Sequence, residues 1–144
     1  MKKYSKVINI HVPIYNTNLI VSYNQTDKEL IKTIGEAEYI PKKEYQELIN
    51  FIKGYKDSFV GLYINNGKKH IIRLKEENEI WKLIDTTSHE VLHFVFELLK
   101  IRGIKHCTKS EEAYTYLNGF LMGEIYHQLI QGILDYQNEK IIEN

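Results

Sequence analysis

From Asp85 onward the chain is patterned as helix with one break, Gly103 to Thr108, and this most constrains the fold: the C-terminal half has to form a helical hairpin. Val91, Leu92, Val95, Leu98 and Leu99 recur at helical spacing in a first segment of about Asp85 to Arg102, and Gly103 stands where a C′ glycine would close it. A second segment runs from about Lys109 to Tyr136, and Gly132 with the polar end Gln137 to Asn144 suggests fraying. The first segment is apolar around much of its circumference, so we expect that helix to be buried and its histidines to need partners.

The N-terminal half reads as strands and short helices. Val7 to Pro13 and Leu19 to Tyr23 flank the turn-rich Tyr15-Asn16-Thr17-Asn18 and predict a hairpin. Asp27 to Ile34 predicts a short helix, with Thr26 or Asp27 as cap and Gly35 just past its end. Pro41 opens a second helix in which Tyr45, Leu48, Ile49 and Ile52 recur before Gly54. Phe59 to Ile64 and His70 to Leu74 flank Asn65-Asn66-Gly67-Lys68, and an Asn-Gly pair between β-branched runs is a strong hairpin signal. No repeat or linker separates these parts. The expectation is one α+β domain over residues 1–144: strands and short helices in 1–78, a helical hairpin in 79–136, a frayed tail in 137–144.

Charge and cysteine usage exclude several functions. Lysine and arginine total 19, aspartate and glutamate total 19, and only Arg73 and Arg102 are arginines, so nucleic-acid binding through phosphate neutralisation has no support. The single cysteine, Cys107, excludes an intramolecular disulfide and a multi-cysteine zinc site, and fits a reducing, cytoplasmic compartment. The N-terminal apolar stretch alternates with polar residues and meets Pro13, unlike a signal peptide, and no apolar run approaches a bilayer span. We therefore expect no nucleic-acid and no membrane partner.

His89-Glu90-Val91-Leu92-His93 carries the chemistry. Two histidines four apart project from one helix face a turn apart, which suits two imidazoles on one tetrahedral zinc ion, while the glutamate after the first can take a proton from a metal-held water. A bland alternative makes Thr87-Ser88-His89-Glu90 a capping box with ordinary first-turn histidines. The returning helix favours the metal: Gly103 to Thr108 is long enough to bring its start beside His93, making Glu112 a candidate third ligand. Gly119 and Gly123 continue the Glu112 stripe, with Tyr116 at its edge and Tyr126 and His127 farther along, and would let two helices approach closely, around a metal or simply in tight packing.

Residues 86–127, TTSHEVLHFVFELLKIRGIKHCTKSEEAYTYLNGFLMGEIYH, resemble the catalytic helices of gluzincin-type zinc peptidases, above all their smallest members and small phage-encoded proteins of similar layout. The hairpin INIHVPIYNTNLIVSY is similar to the opening strands of the latter, and residues 24–57 lie outside the resemblance. What it implies is a zincin-like fold with His89 and His93 as the first two zinc ligands, Glu90 as general base and Glu112 as glutamate ligand. Thr115 and Tyr116 depart from the small and polar residues usual after that glutamate, which leaves Glu111 open as the alternative. A metzincin would need glycine and histidine where Phe96 and Leu99 stand, and a peptide deformylase a cysteine upstream of the motif.

The activity implied is zinc-dependent hydrolysis of a peptide or protein substrate in the cytoplasm of a bacterial host, with Tyr116, Tyr126 or His127 as further oxyanion donor. The competing expectation is a zincin-like binding or structural phage accessory protein without peptidase activity. Substrate identity and oligomeric state are not written in the sequence. Of the remaining histidines, His11 and His70 read as surface or edge strand residues and His106 as a loop residue; Trp81 reads as a core anchor. The hairpin Phe59 to Leu74 is expected, by fold analogy, to pair with an extended substrate, its second run, His70 to Leu74, being the nearer in sequence.

Overall fold

A computed structural model describes residues 3–55 and 58–142. The fold is α+β and divides into two compact units, Met1–Glu76 and Glu77–Asn144. In the first unit, β1 (Lys6–Val12) and β2 (Thr17–Tyr23) form the expected antiparallel hairpin, its reversal made by Pro13–Tyr15 and by Asn16 in the left-handed region at φ 44°. Next come α1 (Asp27–Glu36) and α2 (Lys42–Lys53), then β3 (Gly61–Asn65) and β4 (His70–Leu74). Thr26 and Glu29 build a reciprocal capping box on α1, satisfying first-turn amides that would otherwise lack acceptors. Gly35 lies inside α1 rather than beyond it, its Cα facing the Tyr45 hydroxyl.

The two hairpins merge into one four-stranded sheet of order β1-β2-β4-β3, in which β2 and β4 run parallel. Sequence reading did not foresee this pairing. Its logic is burial: every residue of β4 and the last five of β2 are buried, as expected of strands covered on both faces. The register aligns Ile20, Ile71 and Ile64 in one row across β2, β4 and β3, and Leu30, Ile34, Leu48 and Ile52 of the two helices complete that core. Two expectations fail here. His70 is buried, 3% exposed, with its Nδ1 2.6 Å from the Tyr63 hydroxyl, because β4 is an inner strand. For the same reason β4 is hydrogen-bonded along both edges and cannot pair with a substrate, which excludes the second run of the hairpin but leaves β3, at the edge of the sheet.

The second unit holds α3 (Ile80–Ile101), α4 (Glu111–Ile125) and α5 (Gln131–Ile142), the last two joined by a π-helical turn, Tyr126–Ile130. Gly103, at φ 75°, ends α3 as expected: its N–H donates to the Lys100 carbonyl and that of Ile104 to the Leu99 carbonyl, the two bonds of a Schellman motif. Trp81 is 57% exposed and no core anchor; it lies two residues, about 200° of helix, from Leu83, which begins the buried stripe. No helix among the described residues is long and apolar enough to cross a membrane.

Candidate metal centre

Helix α3 starts five residues before the predicted Asp85, and this decides how its histidines are presented. Thr87 is an interior position, fully buried, its hydroxyl donating back to the Leu83 carbonyl at 2.6 Å. It therefore caps nothing, and the capping-box alternative for Thr87 to Glu90 is excluded. The buried stripe runs Leu83, Thr87, Glu90, Val91, Phe94, Val95, Leu98, Leu99; the opposite, exposed stripe carries His89, Leu92, His93 and Phe96. The expectation of buried histidines is thus wrong, because Leu92 and Phe96 belong to the exposed face, 41% and 47% exposed.

On that face the two imidazoles converge. The Nε2 atoms of His89 and His93 lie 3.1 Å apart and the rings meet edge to face with centroids 4.8 Å apart. Two nitrogens on one tetrahedral zinc, at Zn–N distances of ~2.0–2.1 Å, stand about 3.3 Å apart, so the pair fits such an ion with little adjustment. Glu90 follows His89 on the buried side of the same turn, 8% exposed.

The returning helix does not complete the set. Among the described residues no three His, Cys, Asp or Glu side chains form a group able to hold a metal, so neither Glu112 nor Glu111 joins the histidine pair. The reason lies in how α4 is rotated. Tyr114 is the buried first-turn residue, its ring 5.1 Å from Phe96 and its hydroxyl bonded to the Ile104 carbonyl; Glu112, two residues earlier, leaves the helix about 200° away. Glu111, three residues before Tyr114, leaves nearer that ring's side. Tyr116 is 75% exposed, and Tyr126 and His127 are exposed in the π-helical turn, where Gln131 N–H bonds five residues back to the Tyr126 carbonyl. Such turns occur disproportionately at functional sites, and an uninterrupted helical pattern gave no hint of this one.

Gly119 and Gly123 do not serve close packing: a β-carbon at either would meet nothing within 4 Å. Sequence reading also passed over the cluster that stands beside His93, in which Phe96, His106 and Tyr114 are in mutual ring contact at 4.7–5.6 Å. Its signal was the spacing of Phe96, three residues after His93, combined with a connection whose length the Schellman turn fixes.

No family model, curated protein or solved structure matches the chain.

Proposed function

We propose that the protein is a zincin-like, zinc-dependent hydrolase of the gluzincin type, a metallopeptidase acting on a peptide or protein. His89 and His93 would hold the metal, and the glutamate that completes the set, Glu112, or Glu111 in its place, would have to be drawn to the pair from the first turn of α4. The observation that carries this is the 3.1 Å convergence of the two Nε2 atoms in mid-helix with Glu90 on the adjoining position. Zinc held there would supply Lewis acidity to a substrate carbonyl and to a water. The chain's own work would then be proton transfer: Glu90 would accept a proton from the water and return it to the leaving amine, and Tyr116 or His127 would donate to the oxyanion. A cytoplasmic setting in a bacterial host accompanies this reading.

The same 3.1 Å separation also favours a second reading, because a metal-free N–H···N hydrogen bond has that length. Metal analysis separates the two. Purified protein equilibrated with micromolar zinc should hold about one ion per chain, lost in His89→Ala and His93→Ala, and Glu111→Ala beside Glu112→Ala identifies the third ligand. Glu90→Gln should keep the zinc and lose ~10²–10⁴-fold in peptide turnover. Wild-type protein that takes up no zinc overturns the proposal; a zinc-bound Glu90→Gln variant as active as wild type replaces it with a binding role.

A further inference from the structure

A groove of about 500 Å³ opens at the end of α3, and His93 lines it. Its apolar wall is Phe96 and Tyr114, with His106 between them in edge contact with Tyr114 at 4.7 Å. The Tyr114 ring is fixed, since its hydroxyl is anchored 3.0 Å from the Ile104 carbonyl, whereas Phe96 remains 47% exposed and open to a ligand. Lys100 and Lys105 stand on the rim; Glu97 is the one carboxylate among the lining residues and reaches Lys100 at 3.8 Å. Two cations against one anion around an aromatic wall complement a ligand that is apolar at one end and anionic at the other. The volume lies in the range of small-ligand sites and has room for one terminal residue with its carboxylate.

We propose that this groove receives the C-terminal residue of a peptide substrate. An apolar or aromatic side chain packs on Phe96 and Tyr114, and the α-carboxylate lies toward Lys100 and Lys105. This rests on the metallopeptidase reading in one respect: with His93 in the wall of the groove, the last peptide bond is the one set nearest the metal pair. Its hydrolysis breaks the C–N bond, places the water's hydroxyl on the acyl carbon and its remaining proton on the amine, and releases a free amino acid.

The test is binding, read by calorimetry and by aromatic proton NMR on the zinc-equilibrated full chain. N-acetyl-phenylalanine should bind roughly fivefold tighter than N-acetyl-phenylalaninamide, as two solvent-facing ion pairs allow. Lys100→Gln with Lys105→Gln should erase that preference, and Phe96→Ala should weaken both ligands about tenfold. Equal affinity for acid and amide, or binding indifferent to Phe96→Ala, overturns the inference. Zinc content measured on the same samples keeps the two readings apart: a zinc-loaded protein without acid preference overturns the groove alone, while acid preference in a protein that takes up no zinc supports the groove and overturns the metallopeptidase.

Discussion

Among the described residues Arg73 is the one arginine or lysine buried in the sheet, 2% exposed on the inner strand β4, and removing its partner should cost more than removing Arg73 itself. One guanidinium nitrogen lies 2.6 Å from the Asp27 carboxylate and another donates to the Gln25 carbonyl at 3.2 Å, with the Phe59 ring centroid 5.1 Å away; Nε has no hydrogen-bond partner among the described residues. Breaking a buried pair by deleting one member costs ~3–5 kcal/mol, since the other charge is stranded. Here Asp27 is 34% exposed, and Gln25 and Phe59 remain, so we expect about 2–3 kcal/mol for Asp27→Ala. That includes ~0.3–1 kcal/mol for an acid lost from the first turn of α1. Arg73→Met keeps an unbranched stem of similar reach and removes the buried charge with its desolvation cost; Asp27 can then turn to water, and the change should cost about 1 kcal/mol or less. The double variant should exceed Arg73→Met only by the ~0.3–1 kcal/mol of the lost first-turn acid, instead of summing the two. Urea unfolding followed by far-ultraviolet circular dichroism measures all three. The reasoning is refuted if Arg73→Met destabilises as much as Asp27→Ala, or if the two losses add.

The remaining predictions concern the helices and the metal. Gly119→Ala and Gly123→Ala, exposed helical positions with open space around them, should each stabilise by ~0.5–1 kcal/mol in the same unfolding assay. Gly35→Ala should show no such gain, because its β-carbon would stand 2.7 Å from the Tyr45 hydroxyl, which is itself bonded to the Ile31 carbonyl. Zinc at a hundredfold its dissociation constant should raise stability by ~2.7 kcal/mol in wild type and leave His89→Ala unchanged, read as a shift in thermal unfolding. Cys107, held below the ordinary thiol range by the Ser110 side chain and then by the backbone amides of Lys109 and Ser110, should alkylate with iodoacetamide at lower pH than a free cysteine. Ser110→Ala should move that profile back up.

What the sequence showed and what it hid divide along a physical line. Turns are local: Asn-Gly between β-branched runs and Gly103 after Arg102 each state their geometry within a few residues and formed where expected, and Thr26, one of the two candidate caps of α1, is the cap. The β2–β4 pairing joins residues some fifty positions apart, and nothing in either run specifies a parallel neighbour beyond its continuous apolar character. Helix α3 escaped correct bounds for a related reason. Glu79 makes no side-chain cap, so the start of the helix carries no signature, and Trp81, an apolar residue facing solvent, blurs the pattern there.

The candidate site follows the same division, and this explains its unequal legibility. Positions four apart on one helix have their relative directions fixed by 100° per residue, so His89 and His93 converge whatever surrounds them. The third ligand proposed from α4 depends on the side that helix presents, and its rotation is set by Tyr114 seating against Phe96 and His106. Heptad counting from Glu112 through Gly119 to Gly123 found a real stripe, but it lies on the exposed side of α4. If zinc binding draws Glu111 or Glu112 to the pair, the first turn of α4 has to shift against that aromatic cluster, and the same cluster walls the proposed substrate groove. Metal uptake should therefore perturb the Phe96, His106 and Tyr114 ring resonances even without substrate. Zinc taken up with those resonances unmoved would mean that the third ligand is a water or a substrate atom, and not a glutamate of α4.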